Sequence, residues 1–418
     1  MSCPDSPPHH APLNWIDISA SVPDIQQCLD QIGASLLNPL PIVFLYPKAD
    51  FRALAKATQH LLAAQAVLAR DLCKKHSRAE FATMFDIPAP AARFIDWDAL
   101  VNPDERIVRF DFLRGTTGPK IVEFNVFCGV GGPDLQSTFA SVLPRFDAHP
   151  FNQSPFVALA DHYAVQVERY NITRLVLLDW EEHKSRGYPN FDILQEFLHA
   201  RMPDIEIVTH TEKTYPRDWL QPDQGCGTLV HRVFTLGDLK GDLTFLEQLQ
   251  ESNARLTNGF EAEICMNKHW LGLLCDPDNH VLFNPEQIAA IKDFLPDTYA
   301  LSPHNLDSAL ADKDRLVFKW NSSYGGEGIY IGHEWATDEL AERLASDGIT
   351  GFSVQEIVPI LDEYAPVETF GEPLPMSAVF GLYSYAGKIS GLLTRASVKT
   401  AIVNAASGSK VSWGYVRN

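Results

Sequence analysis

The feature that most constrains this chain is a doubled alternation at residues 106–126, RIVRFDFLRGTTGPKIVEFNV. Val108, Phe110 and Phe112 interleave with Arg109 and Asp111, and Val122, Phe124 and Val126 interleave with Glu123 and Asn125. A period of two is that of strands with one buried face, and Gly115-Thr116-Thr117-Gly118 between the two runs is a hairpin signal. A three-residue turn from Thr116 to Gly118, with Gly118 in the left-handed region, sets Asp111 opposite Glu123 and Arg109 opposite Asn125. Opposed Cβ atoms lie about 5 Å apart, where two carboxylates repel unless something cationic sits between them. The apolar face reads as core. The polar face is either the solvated side of a surface hairpin or a set of oxygen ligands that suits Mg²⁺ carrying a nucleotide's phosphates.

A chain of 418 residues is long enough for two or three domains with substantial cores. Its 45% hydrophobic and 21% charged residues are those of a soluble globular protein. The formal net charge of −19 argues against a nucleic-acid backbone as partner and is compatible with a cationic amine substrate. Seven scattered cysteines with no CxxC pair fit reduced thiols rather than a disulfide framework or a zinc site. The N-terminal MSCPDSPPHHAPLNW lacks signal-peptide character and no apolar run is long enough to span a membrane, so a cytoplasmic location is expected.

In chain order, residues 1–14 read as a disordered lead, 41–46 as a buried strand, and the Ala- and Leu-rich run 51–74 as a helix. CGVGGP at 128–133 does not fit GxGxxG and reads as a turn. Helices near 155–170 and 191–201 alternate with strands at 174–179, 205–209 and 228–234, which implies an α/β layer with a parallel sheet. Within it, Arg232 reads as a core-edge salt-bridge partner or a substrate-carboxylate ligand. MNKHWLGLL at 266–274 is a short helical stretch that begins near Lys268, a surface lysine on its own, and LPDTY at 295–299 reads as a turn.

Residues 315–332, RLVFKWNSSYGGEGIYIG, form a second candidate phosphate segment. A strand carries Lys319, a loop of Ser322, Ser323, Tyr324, Gly325, Gly326, Glu327 and Gly328 follows, and a strand resumes at Ile329. Glycines let backbone N–H groups approach phosphate oxygens, and hydroxyls and a lysine add donors and charge; the same composition also describes a plain hairpin. FSVQEIVP at 352–359 is a further strand, and 376–385 with 388–395 form a hairpin around Ala386-Gly387 that delivers Arg395 from a strand end. A tail at 401–412 holds Asn404 and the small-residue turn Ser407-Gly408-Ser409.

Taken together, Lys319 with SSYGGEG, the VQEIVP strand and the GLLTR strand resemble the nucleotide-binding half of an ATP-grasp ligase. The acidic residues precede these elements here, and RFD at 109–111 with EFN at 123–125 is similar to the permuted arrangement of glutathionylspermidine synthases. The resemblance implies an α/β (α+β) ATP-grasp fold with an additional α/β substrate domain. It divides the chain into an N-terminal region at 1–104, a metal-binding hairpin segment at 105–150, a substrate domain at 151–260 and a nucleotide-binding region at 261–418. It implies Asp111, Glu123 and Asn125 as Mg²⁺ ligands, with Arg109 near the transferred phosphate or the carboxylate substrate and Arg395 on the γ-phosphate. Lys268 and Lys319 would hold ATP phosphates or the adenine edge, Ser322, Ser323, Gly325, Gly326 and Gly328 would close over the phosphates, and Gln355, Glu356 and Ile357 would line the adenine and ribose site.

The activity this implies is ATP-dependent ligation of a carboxylate to an amine. The amine could be a polyamine, an amino acid or a peptide, and the acid free or carrier-bound. A small-molecule kinase or a non-catalytic ATP-binding module are the alternatives, and no nucleic-acid or membrane partner is expected.

Overall fold

The computed structural model describes residues 13–31, 37–142, 153–184, 191–323, 325–361, 363–365, 374–397 and 409–417. Of the expected lead at 1–14, residues 1–12 lie outside these residues, as do Tyr324, Asn404 and the Ser407-Gly408 step, while Leu13 is buried and Asn14 opens a strand because it finds a ladder partner in Leu45.

Among the described residues, nine strands make the central sheet. Its main path runs Asn14–Asp17, Ile42–Pro47, Lys410–Arg417, Lys388–Ser397, Leu374–Tyr385, Ile107–Gly115 and Gly118–Val126. All neighbours on this path are antiparallel except Lys410–Arg417, which runs parallel to Ile42–Pro47. The alternation at 106–126 therefore forms the far edge of a large sheet. Helices Lys48–Lys75 and Pro285–Phe294 share the core on one of its faces with Phe110, Phe112, Phe124 and Phe380. Helix Lys48–Lys75 forms because Ala, Leu and Gln give it high intrinsic propensity, and its buried side presents Leu54, Leu61, Leu68 and Leu72 at helical spacing.

The hairpin turn differs from the sequence expectation. Gly115 pairs with Gly118, which leaves only Thr116 and Thr117 in the loop. Gly118 has φ +119°, a conformation that favours glycine. The register then shifts by one residue between Asp111 and Phe112, a β-bulge that leaves Val122 without an opposed partner. A two-residue loop plus one bulged residue gives the same offset as the expected three-residue loop, so Arg109 still faces Asn125 and Asp111 still faces Glu123. The bulge also moves Val122 from its expected place in the core to a cavity wall, while Ile121 is buried.

Two smaller sheets flank this one. An antiparallel sheet runs Thr298–Ala300, Phe352–Glu356, Leu316–Trp320, Ile329–Ile331. The expected turn at 295–299 thus gives way to an edge strand, because Thr298 and Tyr299 find ladder partners in Gln355 and Val354. A parallel sheet runs Glu206–Thr211, Arg174–Asp179, Thr228–Arg232, Arg255–Thr257, as the alternation of helices and strands in that region implies. Arg232 is fully buried there and donates to the carbonyls of Phe234, Asn258 and Gly259 and to Glu263 Oε1, so it acts as a structural tie.

Two further corrections concern chain segments. The stretch at 266–274 belongs to two short helices, Glu261–Met266 and His269–Cys275, with Asn267 and Lys268 at the break. The end of the chain is an inner strand of the central sheet rather than a tail beyond Lys410, because Val411, Trp413 and Tyr415 alternate onto one buried face. Among the described residues no helix is long and apolar enough to cross a membrane.

Candidate functional site

The polar face of the hairpin opens into a cavity of about 660 Å³ between the central sheet and the small antiparallel sheet. Arg109, Asp111, Glu123, Asn125, Lys268, Lys319, Gly325, Gly326, Gln355, Glu356, Ile357 and Arg395 all line it. Ser322 and Ser323 line an adjoining cavity of about 320 Å³ that shares Glu123 and Asn125 with the first. Gly328 lines neither; at φ +62° it sits at the loop's return, and an added Cβ would come within 2.6 Å of Trp320 Cβ.

Long-range contacts bring cations to the two facing carboxylates. Arg109 Nε and Nη2 donate to the two oxygens of Asp111 at 2.7 and 3.0 Å, and Arg395 Nη2 donates to Asp111 Oδ2 at 2.6 Å. Lys268 Nζ lies 3.0 Å from Glu123 Oε1 and also donates to the carbonyl of Ser323. Lys268 is 4% exposed, so it is a buried residue of the cavity wall rather than a surface lysine. Lys319 Nζ donates to Gln355 Oε1 at 2.6 Å and to the carbonyl of Val122 at 3.3 Å, which joins the small sheet to the bulge of the hairpin.

These contacts set the ionisation of the site. Burial pushes the Asp111 carboxyl up, but Arg109 and Arg395 outweigh it and hold the group below the ordinary range. Glu123 is likewise raised by burial, then held low mainly by Lys268 against the repulsion of Asp111. Burial lowers Lys319 to about 8 despite the attraction of Glu123, with Lys268 adding to the decrease.

A depressed folded-state pKa in a lysine means that the buried charge opposes folding below pH 8, where both states are protonated. That opposition is relieved as pH rises toward the ordinary value of 10.5. Replacing Lys319 by Met should therefore raise stability at pH 7 by about 1–3 kcal/mol, and the gain should fade between pH 8 and 10.5. Urea midpoints of both proteins across that range test this.

The sequence alone does not mark several participants. Gly381, opposite Asp111 on the neighbouring strand, leaves room for the Arg109 stem, since a Cβ there would lie 2.8 Å from Arg109 Cδ. The 128–133 segment is a turn, yet Gly131 accepts from Arg109 Nη1 at 3.1 Å and Gly132 lines the cavity at φ +111°. The glycine doublet directly after a strand carrying candidate ligands is the available signal.

The oxygen donors fit one kind of metal. Among the described residues there is no group of three or more His, Cys, Asp and Glu that could hold a metal ion. Two carboxylates and the Asn125 amide are hard donors, too few for an all-protein cage but sufficient for Mg²⁺ that arrives with phosphate oxygens and keeps waters. Three of the roughly four lone-pair positions on Asp111 are taken by the arginines, so Glu123 and Asn125 offer the more open oxygens.

No family model matches this chain, and no curated protein matches it. Among solved structures it is similar to a glutathione synthetase-like effector from Globodera pallida in its apo form, with a TM-score of 0.57 and 13% identity over 96% of this chain and 98% of that one. It is also similar to a putative gamma-glutamylcysteine synthetase from Methylobacillus flagellatus KT, with a TM-score of 0.43 and 13% identity over 85% and 88% of the two chains. The first similarity covers nearly the whole of both chains and establishes a shared fold, the α+β architecture of ATP-grasp type.

Proposed function

We propose that this chain is an ATP-dependent carboxylate–amine ligase, of the permuted glutathionylspermidine synthase-like type, that forms an amide or peptide bond through an acyl phosphate in the cytoplasm. The observation that carries this reading is the convergence of four basic side chains, Arg109, Arg395, Lys268 and Lys319, on two facing carboxylates and an amide beside a glycine-rich loop. Such a site binds a polyanion and opposes the charge that develops when one of its phosphoryl groups moves.

In this reading residues 105–150 and 261–418 form the ATP-grasp core, 151–260 the α/β substrate part, and the strand Ile42–Pro47 ties the first hundred residues into the central sheet. Lys319 and Lys268 hold ATP phosphates, the loop containing Gly325 and Gly326 supplies backbone donors, and Gln355, Glu356 and Ile357 line the adenine and ribose end. Asp111, Glu123 and Asn125 would hold Mg²⁺, which when bound supplies positive charge to the phosphate chain. Arg109 and Arg395 orient the carboxylate substrate for attack on the γ-phosphorus, with ADP as the leaving group, and neutralise the transferring oxygens; the amine then attacks the acyl carbon, loses a proton and displaces phosphate. The adjoining cavity at Ser322 and Ser323, which shares Glu123 and Asn125, is large enough for the second reactant.

The test is phosphate release from ATP and Mg²⁺ with pooled carboxylic acids, with and without pooled amines, followed by mass analysis. Release that requires both pools and gives a product one water lighter than their sum supports ligation. Release with a phosphorylated product and no amine requirement would make the protein a kinase, and binding without release would make it a non-catalytic module.

A further inference from the structure

A third cavity, of about 380 Å³, lies away from this site, where the 94–106 segment meets the edge of the parallel sheet and the start of helix Glu261–Met266. Its volume is within the range of small-molecule sites, roughly 300–1,000 Å³. Two of its lining side chains, Arg106 and Glu261, are 5% and 7% exposed, carry opposite charge and form no ion pair among the described residues.

Arg106 spends its two terminal nitrogens on neutral acceptors, Gln65 Oε1 at 2.8 Å and the carbonyl of Leu100, and among the described residues its Nε has no acceptor. Among the described residues Glu261 Oε2 has no donor. Buried polar groups are nearly always partnered, and an uncompensated buried charge is strongly unfavourable. Neither orphan arises from a loose wall, because Arg232 clamps the carbonyls of Asn258 and Gly259, and Asn258 bonds both the N–H and the carbonyl of Ile107. Gly259 is what admits the carboxylate: a Cβ there would lie 2.5 Å from Glu261 Oε2. Burial pushes the Glu261 carboxyl up to about 7, and its own backbone N–H, Arg232 and Arg106 only partly offset that rise, to which Asp96 adds.

We propose that this cavity is a binding site for a small zwitterion, an α-amino acid with free amino and carboxyl groups, whose ammonium meets Glu261 and Asp96 and whose carboxylate meets Arg106. Phe94, Leu246 and Leu249 on the same walls favour an apolar side chain. The site is separate from the proposed ligase chemistry and stands whether or not that chemistry is confirmed.

The experiment is calorimetric titration of the full chain with L-leucine, alongside N-acetyl-L-leucine and L-leucine methyl ester, each of which lacks one charge. Preceding it, a thermal-shift screen of the twenty L-amino acids identifies any better-fitting side chain for the same three-way comparison. The expected result is saturable binding of one free amino acid per chain, unchanged in Lys319→Met, weakened at least tenfold in Glu261→Gln, and absent for both blocked derivatives. Gln keeps the volume of Glu261 and removes a buried charge, so the variant should fold with an equal or higher midpoint. Failure of every amino acid to bind, equal binding of a blocked derivative, or undiminished binding to a folded Glu261→Gln protein would each overturn the proposal. Loss of binding in Lys319→Met alone would move the amino acid to the larger cavity.

Discussion

Glu123→Gln should lower ATP- and Mg²⁺-dependent turnover by about 10²–10³-fold, the usual consequence of removing one preorganised electrostatic group from a transferring centre. Gln preserves volume and hydrogen-bonding reach, and only the charge is lost. Glu123 is the carboxylate best placed for a metal, because Asp111 is already held by two arginines while Glu123 has, among the described residues, a single cationic contact, from Lys268 at 3.0 Å. The substitution removes that contact's anion as well, leaving a lysine that is 4% exposed beside a neutral amide. Folding should change little, since relieving the Asp111–Glu123 repulsion offsets part of the lost pair. Steady-state phosphate release, with near-ultraviolet circular dichroism as the control on folding, measures both. Full turnover in the variant would remove Glu123 from the site.

The largest effect on stability is expected at Arg232. Arg232→Met leaves the Glu263 carboxylate buried without its cation and strands the carbonyls of Phe234, Asn258 and Gly259. Breaking one side of a buried ion pair costs about 3–5 kcal/mol, and the carbonyls add to that. Arg232 also lies over the Phe260 ring, 4.3 Å from its centroid, so packing is lost along with charge. The double variant Arg232→Met, Glu263→Gln should recover part of the loss, because the stranded anion is then gone. Urea unfolding of the single and double variants tests this; a single-variant loss under about 1 kcal/mol would mean that water or a neighbour replaces the guanidinium.

What can be read from the residues is local and periodic. The alternation at 106–126 locates both strands, and the pairing of Asp111 with Glu123 follows even from a turn one residue longer than the real one. The bulge at Val122 compensates for the shorter loop, and a bulge leaves no mark on a two-residue period. The same alternation asks for a cation between the carboxylates. Arg395 supplies one from 284 positions away and Lys268 another, through pairings that no local pattern encodes. Lys268 reads as exposed in the sequence because its burial depends on a break between two short helices and on the carbonyl of Ser323. The strand Lys410–Arg417 is hidden for a related reason: it is an inner strand of the sheet, and its burial comes from neighbours at opposite ends of the chain.

The central claim is that a carboxylate oxygen attacks the γ-phosphorus of ATP, and one measurement follows that oxygen. The acids found active in the pooled screen are prepared with ¹⁸O in the carboxylate and turned over with ATP, Mg²⁺ and the amine. Mass analysis of the released phosphate should show one ¹⁸O atom for each amide formed, because the acyl phosphate hands that oxygen to phosphate when the amine displaces it. Unlabelled phosphate formed in step with the amide would contradict the acyl-phosphate route and the proposed roles of Arg109 and Arg395.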